Sequence, residues 1–301
     1  MVDVAVIFVN YNTTDLVINS IQSVIDKSIG VSYELIVVDN GSTDFPERIL
    51  NQFPYVKYIR SMVNKGFGGA NNLGVANAEA KYMFFLNPDT LLVNNAIAIL
   101  KNFLDANEDV GVVGGNLVDL QMSPVHSYAI RFPSILDDVD IAFFRLLSKF
   151  IYNGNQMFNN TNNPMEVAFV TGADYMVRRN LFEDVGGFSP IFFMYYEDTE
   201  LSFRIRRIGQ KIYNIPQALI VHLEGRSFSH SYSREKRIME SRRKYFLITH
   251  GILYLYFSDF IFLLLNLLGL CISLFMIRKK RFFRYKQRIG ILFSLFLKKV
   301  L

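Results

Sequence analysis

The sequence predicts an α/β fold: a mostly parallel central sheet flanked by helices, followed by a helical region that is both basic and apolar. Three observations predict it. Short apolar runs alternate with amphipathic stretches from Val4 to Ala106, the βαβα order that builds parallel sheets. Each of three runs ends in a polar cluster, Asn10-Tyr11-Asn12, Asp39-Asn40-Gly41-Ser42 and Asn87-Pro88-Asp89, where open α/β sheets bind ligands. The charge then changes sign along the chain. Residues 1–225 carry 16 basic and 24 acidic side chains, a net −8, whereas residues 226–301 carry 16 basic and 3 acidic, a net +13. The overall +5 therefore averages two regions with different tasks.

The elements follow from local pattern. Val4–Val9 and Leu35–Val38 are continuous apolar runs of strand length, and Val56–Arg60 and Tyr82–Leu86 supply two more. Between them, Leu16, Ile21 and Val24 recur at helical spacing within Thr13–Lys27, and further helices are expected at Asn71–Ala80 and Asn94–Ala106. The order loosens over Leu120–Pro164, where Ser, Pro and Asn cluster around a short helical piece at Val139–Phe150. Residues 119–165 are read as a variable insertion within a domain spanning 1–225. Strand character resumes at Glu166–Val177, a helix is expected at Tyr196–Gly209, and short strands at Lys211–Ile215 and Ala218–Val221 lead to His222.

The region 226–301 is read as membrane-associating. Ile252–Ile277 is apolar and long enough to cross a bilayer, interrupted by Asp259 and Asn266. Basic residues flank it on both sides, from Arg234 to Lys244 and from Arg278 to Arg288, which argues against one clean crossing. A re-entrant hairpin or a helix lying in the interface keeps both flanks on one side. The expected partner is the anionic cytoplasmic leaflet, at about 1 kcal/mol per basic residue near the surface. A buried core helix is the competing reading. Stacking of the RFFRYKQR aromatics at 281–288 on nucleic acid explains the charges but not the apolar run before them, so no nucleic acid is expected. The single cysteine, Cys271, suits a reducing compartment, and Asp3 stands where a signal peptide would place cations, so export is not expected.

Chemistry is sought at the strand ends. Asp89, after the run ending at Leu86, offers a hard oxygen suited to Mg²⁺ or Mn²⁺ on a phosphate. His222, after another apolar run, can add an imidazole. Glu197 and Asp198 open a helix, where an acid either caps the N-terminus or serves as a general base. Neighbouring residues do not share a helical face, so only one of the pair can aim at a given substrate. The aromatics Phe192–Tyr196 would keep that base partly dry and raise its pKa. A phosphate-binding Walker loop is absent, and Gly66-Phe67-Gly68-Gly69-Ala70-Asn71 lacks the last glycine of a dinucleotide fingerprint.

Taken together, VIFVNYN at Val6–Asn12, VVDNGSTD at Val37–Asp44, NKGFGGANNLG at Asn64–Gly74, FLNPDT at Phe85–Thr90, VTGADYMVRR at Val170–Arg179 and the stretch Phe182–Gly209 resemble glycosyltransferase family 2 enzymes with a GT-A fold, and within them the bacterial rhamnosyltransferase group. The resemblance implies inverting transfer of a sugar from a nucleoside diphosphate donor to a hydroxyl of a saccharide or lipid-linked saccharide. It implies that Asp39 binds the base or ribose, with Asn10, Asn12, Asn64, Gly66, Asn71 and Asn87 lining the nucleotide pocket. Asn87-Pro88-Asp89 stands in for the family's Asp-x-Asp motif, so Asp89, completed by His222, would hold the divalent ion. Asp198, beside Glu197, matches the catalytic base, and Gly172, Ala173 and Asp174 fall on the acceptor side. Arg204 or Arg206 would help offset diphosphate charge. The resemblance favours dTDP-rhamnose as donor, with UDP-hexoses or UDP-galactofuranose behind it. A processive synthase is disfavoured because the chain holds no tryptophan, which the processive motif requires. A membrane-tethered, non-catalytic sugar-nucleotide or glycan-binding module is the rival from another class.

Overall fold

The computed structural model describes residues 1–142, 157–223 and 232–296. They divide into two compact units. Residues 1–132, 157–193 and 197–223 form the first, and residues 133–142, 194–196 and 232–296 the second. The boundary expected at residue 225 lies outside the described residues, as does most of the helical piece expected at 139–150. Its beginning is seen in a helix at Ile135–Ala142, which groups with the second unit and not with the insertion of the first.

The first unit is built on a nine-stranded sheet. In chain order its strands and those beside it are β1 (Val2–Asn10), β2 (Tyr33–Asp39), β3 (Lys57–Arg60), β4 (Ala80–Leu86), β5 (Thr90–Leu92), β6 (Val110–Val118), β7 (Tyr128–Ala129), β8 (Met165–Glu166), β9 (Phe169–Val170), β10 (Asp174–Arg178) and β11 (Lys211–His222). The order across the sheet is β3-β2-β1-β4-β10-β6-β11-β5, with β8 also on β11, while β7 and β9 pair separately. β3, β2, β1 and β4 run parallel, as do β6 and β11; β10 is antiparallel to both its neighbours. Helices α1 (Thr14–Lys27), α2 (Arg48–Gln52), α3 (Gly66–Val75), α4 (Ala96–Ala106), α6 (Arg179–Asp184) and α7 (Glu197–Arg207) accompany it, α5 being Ile135–Ala142 of the second unit.

Alternation along the buried strands makes two cores. Val4, Val6 and Phe8 of β1 pack with Val17, Ile21 and Val24 of α1 on one face. Ala5 and Ile7 pack with Ala70 and Val75 of α3 on the other. Successive side chains point to opposite faces, so a strand covered on both sides must be apolar throughout, which is why these runs are continuous.

The structure corrects several expected elements. The helix expected at Asn71–Ala80 lies at Gly66–Val75, because its glycine-rich first turn has little helical propensity of its own and is held by packing. The strand expected over Glu166–Val177 is broken into β8, β9 and β10. The two strands expected around Pro216 are one, β11, with a register shift between Ile215 and Leu219 that accommodates a residue lacking an N–H. Strand β6 was not foreseen at all. Its Gly111, Gly114, Gly115 and Asn116 disguise a fully buried strand, and at Gly115 a Cβ would stand 2.4 Å from the Ala218 carbonyl oxygen, so only glycine admits β11 at this spacing.

In the second unit, α8 (Tyr232–His250), α9 (Ile252–Phe275) and α10 (Lys279–Phe296) pack side by side. Tyr285 of α10 lies against Gly269 of α9, and Phe262 and Leu263 pack on Ile291, Leu292 and Leu295, so α10 runs back along α9. Arg243 of α8 reaches both, with Nε 2.9 Å from Asp259 Oδ2 and one terminal nitrogen donating to the Leu295 carbonyl at 2.8 Å.

Candidate active site

The polar clusters after β1, β2, β4 and β11 gather at one end of the sheet because strand register puts them there. Asn10 stands beside Asp39, Asp39 beside Arg60, Leu86 beside Asp174, and Thr90 beside His222. The first two clusters interlock. Asn10 Oδ1 accepts from the Thr13 N–H and hydroxyl, and Asp44 Oδ2 accepts from the Thr14 N–H at 2.8 Å, together satisfying the start of α1. Asn12, at a positive φ of 55°, accepts from the Thr43 N–H at 2.8 Å. The side chains of Asn10 and Asn12 are thus used in loop architecture. Asp39 is wholly buried. Its Oδ1 accepts from the Ser42 N–H at 3.1 Å, while Oδ2, 3.7 Å from Arg60 Nε, has no hydrogen bond.

A second interlock was not anticipated. Asn40, next to Asp39, donates to Asn64 Oδ1 at 3.0 Å and accepts from the Lys65 N–H at 2.8 Å, and Asn64 Oδ1 also accepts from the Gly66 N–H. Gly66 has φ +76° and its missing Cβ would lie 2.1 Å from the Phe193 carbonyl oxygen, which accepts from the Phe67 N–H at 3.0 Å. No other residue fits that contact. Asn71 is buried within α3, donating to the Phe67 carbonyl at 3.1 Å with its Oδ1 unpaired.

The third cluster joins the acid pair. Asn87 donates its N–H to the Ala173 carbonyl at 2.9 Å, and the next residue back, Gly172, donates its N–H to Asp198 Oδ2 at 2.8 Å. Asp198 Oδ1 accepts from the Thr199 N–H and hydroxyl. Burial pushes the Asp198 carboxyl above the usual range, and these hydrogen bonds, with the nearby His126, pull it back. His126 is an exposed loop residue in the stretch read as a variable insertion, and no local pattern marked it. Glu197 turns away from Asp198 as helical geometry requires. Its side chain is buried beside Gly68, its Oε2 has no partner, and burial, then the charge of Asp198, pushes its pKa up to about 8.

Across the same loop, His222 Nε2 lies 3.4 Å from Asp89 Oδ1, and both side chains are nearly buried. His222 Nδ1 is buried without a hydrogen bond. The sheet edge that brings them together is the β5–β11 pairing, continued by the Leu223 N–H on the Asp89 carbonyl at 2.9 Å. These are the two side chains that would hold a divalent ion, if one binds here together with a diphosphate. Among the described residues no cluster of three or more metal-ligating side chains exists.

Three expected residues are placed elsewhere. Asp174 is wholly buried in β10, where its Oδ2 accepts from the Gly115 N–H at 2.5 Å and burial raises its pKa well above the usual carboxylate value. It has no surface from which to touch an acceptor. Arg204 is committed to Glu200, at 2.6 and 2.8 Å, and to the carbonyls of Val185 and Gly187. Arg206 pairs with Glu166 at 2.6 Å beside Arg131 and Phe132. Neither arginine is free for a diphosphate.

The family model described as Glycosyl transferase family 2 matches residues 5–186. The chain belongs to glycosyl transferase family 2. A second model, Glycosyl transferase family 21, matches residues 148–285. The chain is similar to the rhamnosyltransferase WbbL of Escherichia coli K12, 25% identical over 231 residues covering 70% of this chain and 85% of that protein. It is 26% identical over 215 residues to the N-acetylglucosaminyl-diphospho-decaprenol L-rhamnosyltransferase of Mycobacterium tuberculosis, covering 64% and 67%. Two solved structures share the fold at 16% identity. The mannosyltransferase PcManGT of Pyrobaculum calidifontis, in complex with GDP-Man and Mn2+, aligns at TM-score 0.62 over 99% of this chain and 90% of that one. GalNAc-T7 with UDP, GalNAc and Mn2+ aligns at 0.60 over 82% and 50%. The fold of this family 2 chain is therefore GT-A, a mixed, mostly parallel sheet flanked by helices, as the sequence predicts.

Proposed function

We propose that this glycosyltransferase moves L-rhamnose from dTDP-rhamnose to a hydroxyl of a saccharide or lipid-linked saccharide acceptor, with inversion, at the cytoplasmic face of a membrane. The observation that carries it is the hydrogen-bonded run from Asp198 through Gly172 and Ala173 to Asn87, two residues from the Asp89–His222 pair. It joins a carboxylate in reach of an acceptor to a pair suited to a diphosphate's metal. The rhamnosyltransferase names of two relatives support the sugar, and the decaprenol named in one supports a lipid-linked acceptor.

The acceptor hydroxyl is a weak nucleophile until a base removes its proton. Asp198 is the residue to take it: its carboxyl is held in one orientation at both oxygens, partly open to solvent, with a pKa raised toward the working range. Single in-line attack on the anomeric carbon needs no protein nucleophile and inverts the centre. Glu197 supports the site differently, as a buried acid kept protonated at neutral pH so that it adds no second negative charge beside the base. Asp89 and His222 would hold Mn2+ or Mg2+, which offsets charge on the departing diphosphate. Asp39, assigned to the base or ribose by the family resemblance, is wholly buried with its Oδ2 3.7 Å from the exposed Arg60, so its part is to hold that arginine at the rim of the nucleotide pocket, while Asn64 and Gly66 shape the loop behind it.

The deciding experiment offers dTDP-rhamnose, UDP-glucose, UDP-galactofuranose and GDP-mannose in turn with Mn2+ and follows nucleoside diphosphate release. Selective turnover of dTDP-rhamnose is expected. Preference for a UDP sugar overturns the donor assignment, and no turnover of any donor overturns the catalytic one.

A further inference from the structure

Helix α9 is inverted relative to a helix of a soluble protein. Its buried side chains include Ser258, Asp259, Asn266 and Ser273, while Leu253, Phe257, Phe260, Leu264, Leu268 and Phe275 are exposed. With the exposed Cys271 these positions recur at three- and four-residue spacing, so they form one stripe about 33 Å long at 1.5 Å per residue. An apolar patch of that extent on a polar-cored helix fits a medium that is itself apolar. Among the described residues α9 is the helix long and apolar enough to cross a membrane.

Its neighbours decide against crossing. Tyr285 packs on Gly269, so the exposed cations Arg284 and Lys286 lie level with a point six residues, or about 9 Å, inside the C-terminal end of α9. Arg288 follows, ion-paired at 2.6 Å to Glu235 of α8. Toward the other end, Asp259 sits about 10 Å inside the helix and binds Arg243 at 2.9 Å, with Arg242 at 3.7 Å. Arg242 is also paired with Asp138 and lies over the rings of Phe246 and Phe262. A perpendicular α9 would carry α8, α10 and these charges into hydrocarbon. A helix lying flat presents its apolar stripe to acyl chains and leaves the cations Arg278, Lys279, Lys280 and Arg281 at headgroup level, where anionic lipid complements them.

We propose that α9, braced by α8 and α10, docks in the plane of one leaflet of an anionic bilayer and does not span it. The inference deepens the membrane part of the proposed function and is independent of the sugar transferred.

Cys271 is the sole cysteine, is exposed, and lies on the lipid-facing side of α9, so the unaltered protein accepts a spin label there. Phe257→Cys and Leu264→Cys in a Cys271→Ser background extend the series along the stripe. Full-length protein is bound to vesicles of phosphatidylglycerol and phosphatidylethanolamine, and label depth is read from collision with oxygen against a water-soluble nickel chelate. In-plane docking gives all three labels one shallow depth, about 5–10 Å below the headgroups, and vesicle capture that weakens in high salt and on neutral lipid. A label at 264 near the bilayer centre, with 257 and 271 shallower, overturns the proposal in favour of a span. Labels that stay as accessible as in water overturn the docking surface itself. Diphosphate release from the sugar nucleotide, assayed on the same preparations in detergent, reports the catalytic reading separately, and circular dichroism confirms that each variant is folded.

Discussion

The carboxylate of Asp198 accepts the backbone N–H of Gly172 at 2.8 Å, tying the first turn of α7 to the loop before β10. With the Thr199 bonds to its other oxygen, this bond sets the direction of the proposed base and places it beside the loop whose Ala173 carbonyl accepts from the Asn87 N–H, two residues before Asp89. Replacing Asp198 with Asn keeps the size but removes the basicity. Transfer should fall about a hundred- to ten-thousand-fold while donor binding, measured by calorimetry, is retained. Near-normal turnover by the variant would sink the assignment.

The same carboxyl predicts a pH profile. Burial raises the Asp198 pKa, so kcat/KM should fall as pH drops, with its acid limb displaced above that of an ordinary aspartate. His126 opposes the rise, so His126→Ala should move that limb further toward neutral pH. A profile unchanged in the variant removes His126 from the site.

Asp89 and His222 stand 3.4 Å apart at the ends of adjacent strands. Asp89→Asn and His222→Ala should each weaken Mn2+-dependent donor binding by at least the roughly 10-fold that loss of an outer-shell partner costs, and leave binding in chelator alike in all three proteins. Titration calorimetry with and without Mn2+ makes the comparison.

Glu197 couples stability to pH. Its pKa rises from an ordinary 4.5 when unfolded to about 8 when folded, so between these values the folded state holds a proton that the unfolded state has released. Stability from this residue is complete below the unfolded pKa and is lost as pH climbs through the window. Glu197→Gln, which cannot ionise, should flatten the decline of Tm between pH 5 and about 8; a parallel decline in both proteins would contradict the burial argument.

At Gly66 the prediction is purely steric. A Cβ there meets the Phe193 carbonyl at 2.1 Å on a backbone with φ +76°. Gly66→Ala should cost at least about 1–3 kcal/mol, read as a lower denaturant midpoint with an unchanged slope.

Legibility tracked how local each cause was. Continuous apolar runs identified β1, β2 and β4, because a strand buried on both faces has no polar side. Strand β6 escaped for the opposite reason: its glycines exist to admit Ala218 and Val170 from distant elements, and no local pattern records a neighbour that far away. Asp89, His222 and Asp198 were legible as polar groups at element ends. Asp174 and Arg204 were equally polar and equally placed in motifs, yet face Gly115 and Glu200.

Periodicity, composition and motif order were sufficient for the fold class, the family resemblance and the contrast between an acidic front and a basic, apolar tail, since each depends on residues near one another in the chain. Tertiary structure was needed to decide which polar side chains remain available for chemistry. Hydrogen-bond partners are chosen across strand pairings, and those pairings turn Asn10, Asn12 and Asn64 into loop braces, set Asp39 against Arg60 and leave His222 Nδ1 buried without a hydrogen bond. Packing likewise set the reading of α9, because an apolar helix of spanning length is defined by its neighbours, and here they place charges alongside it.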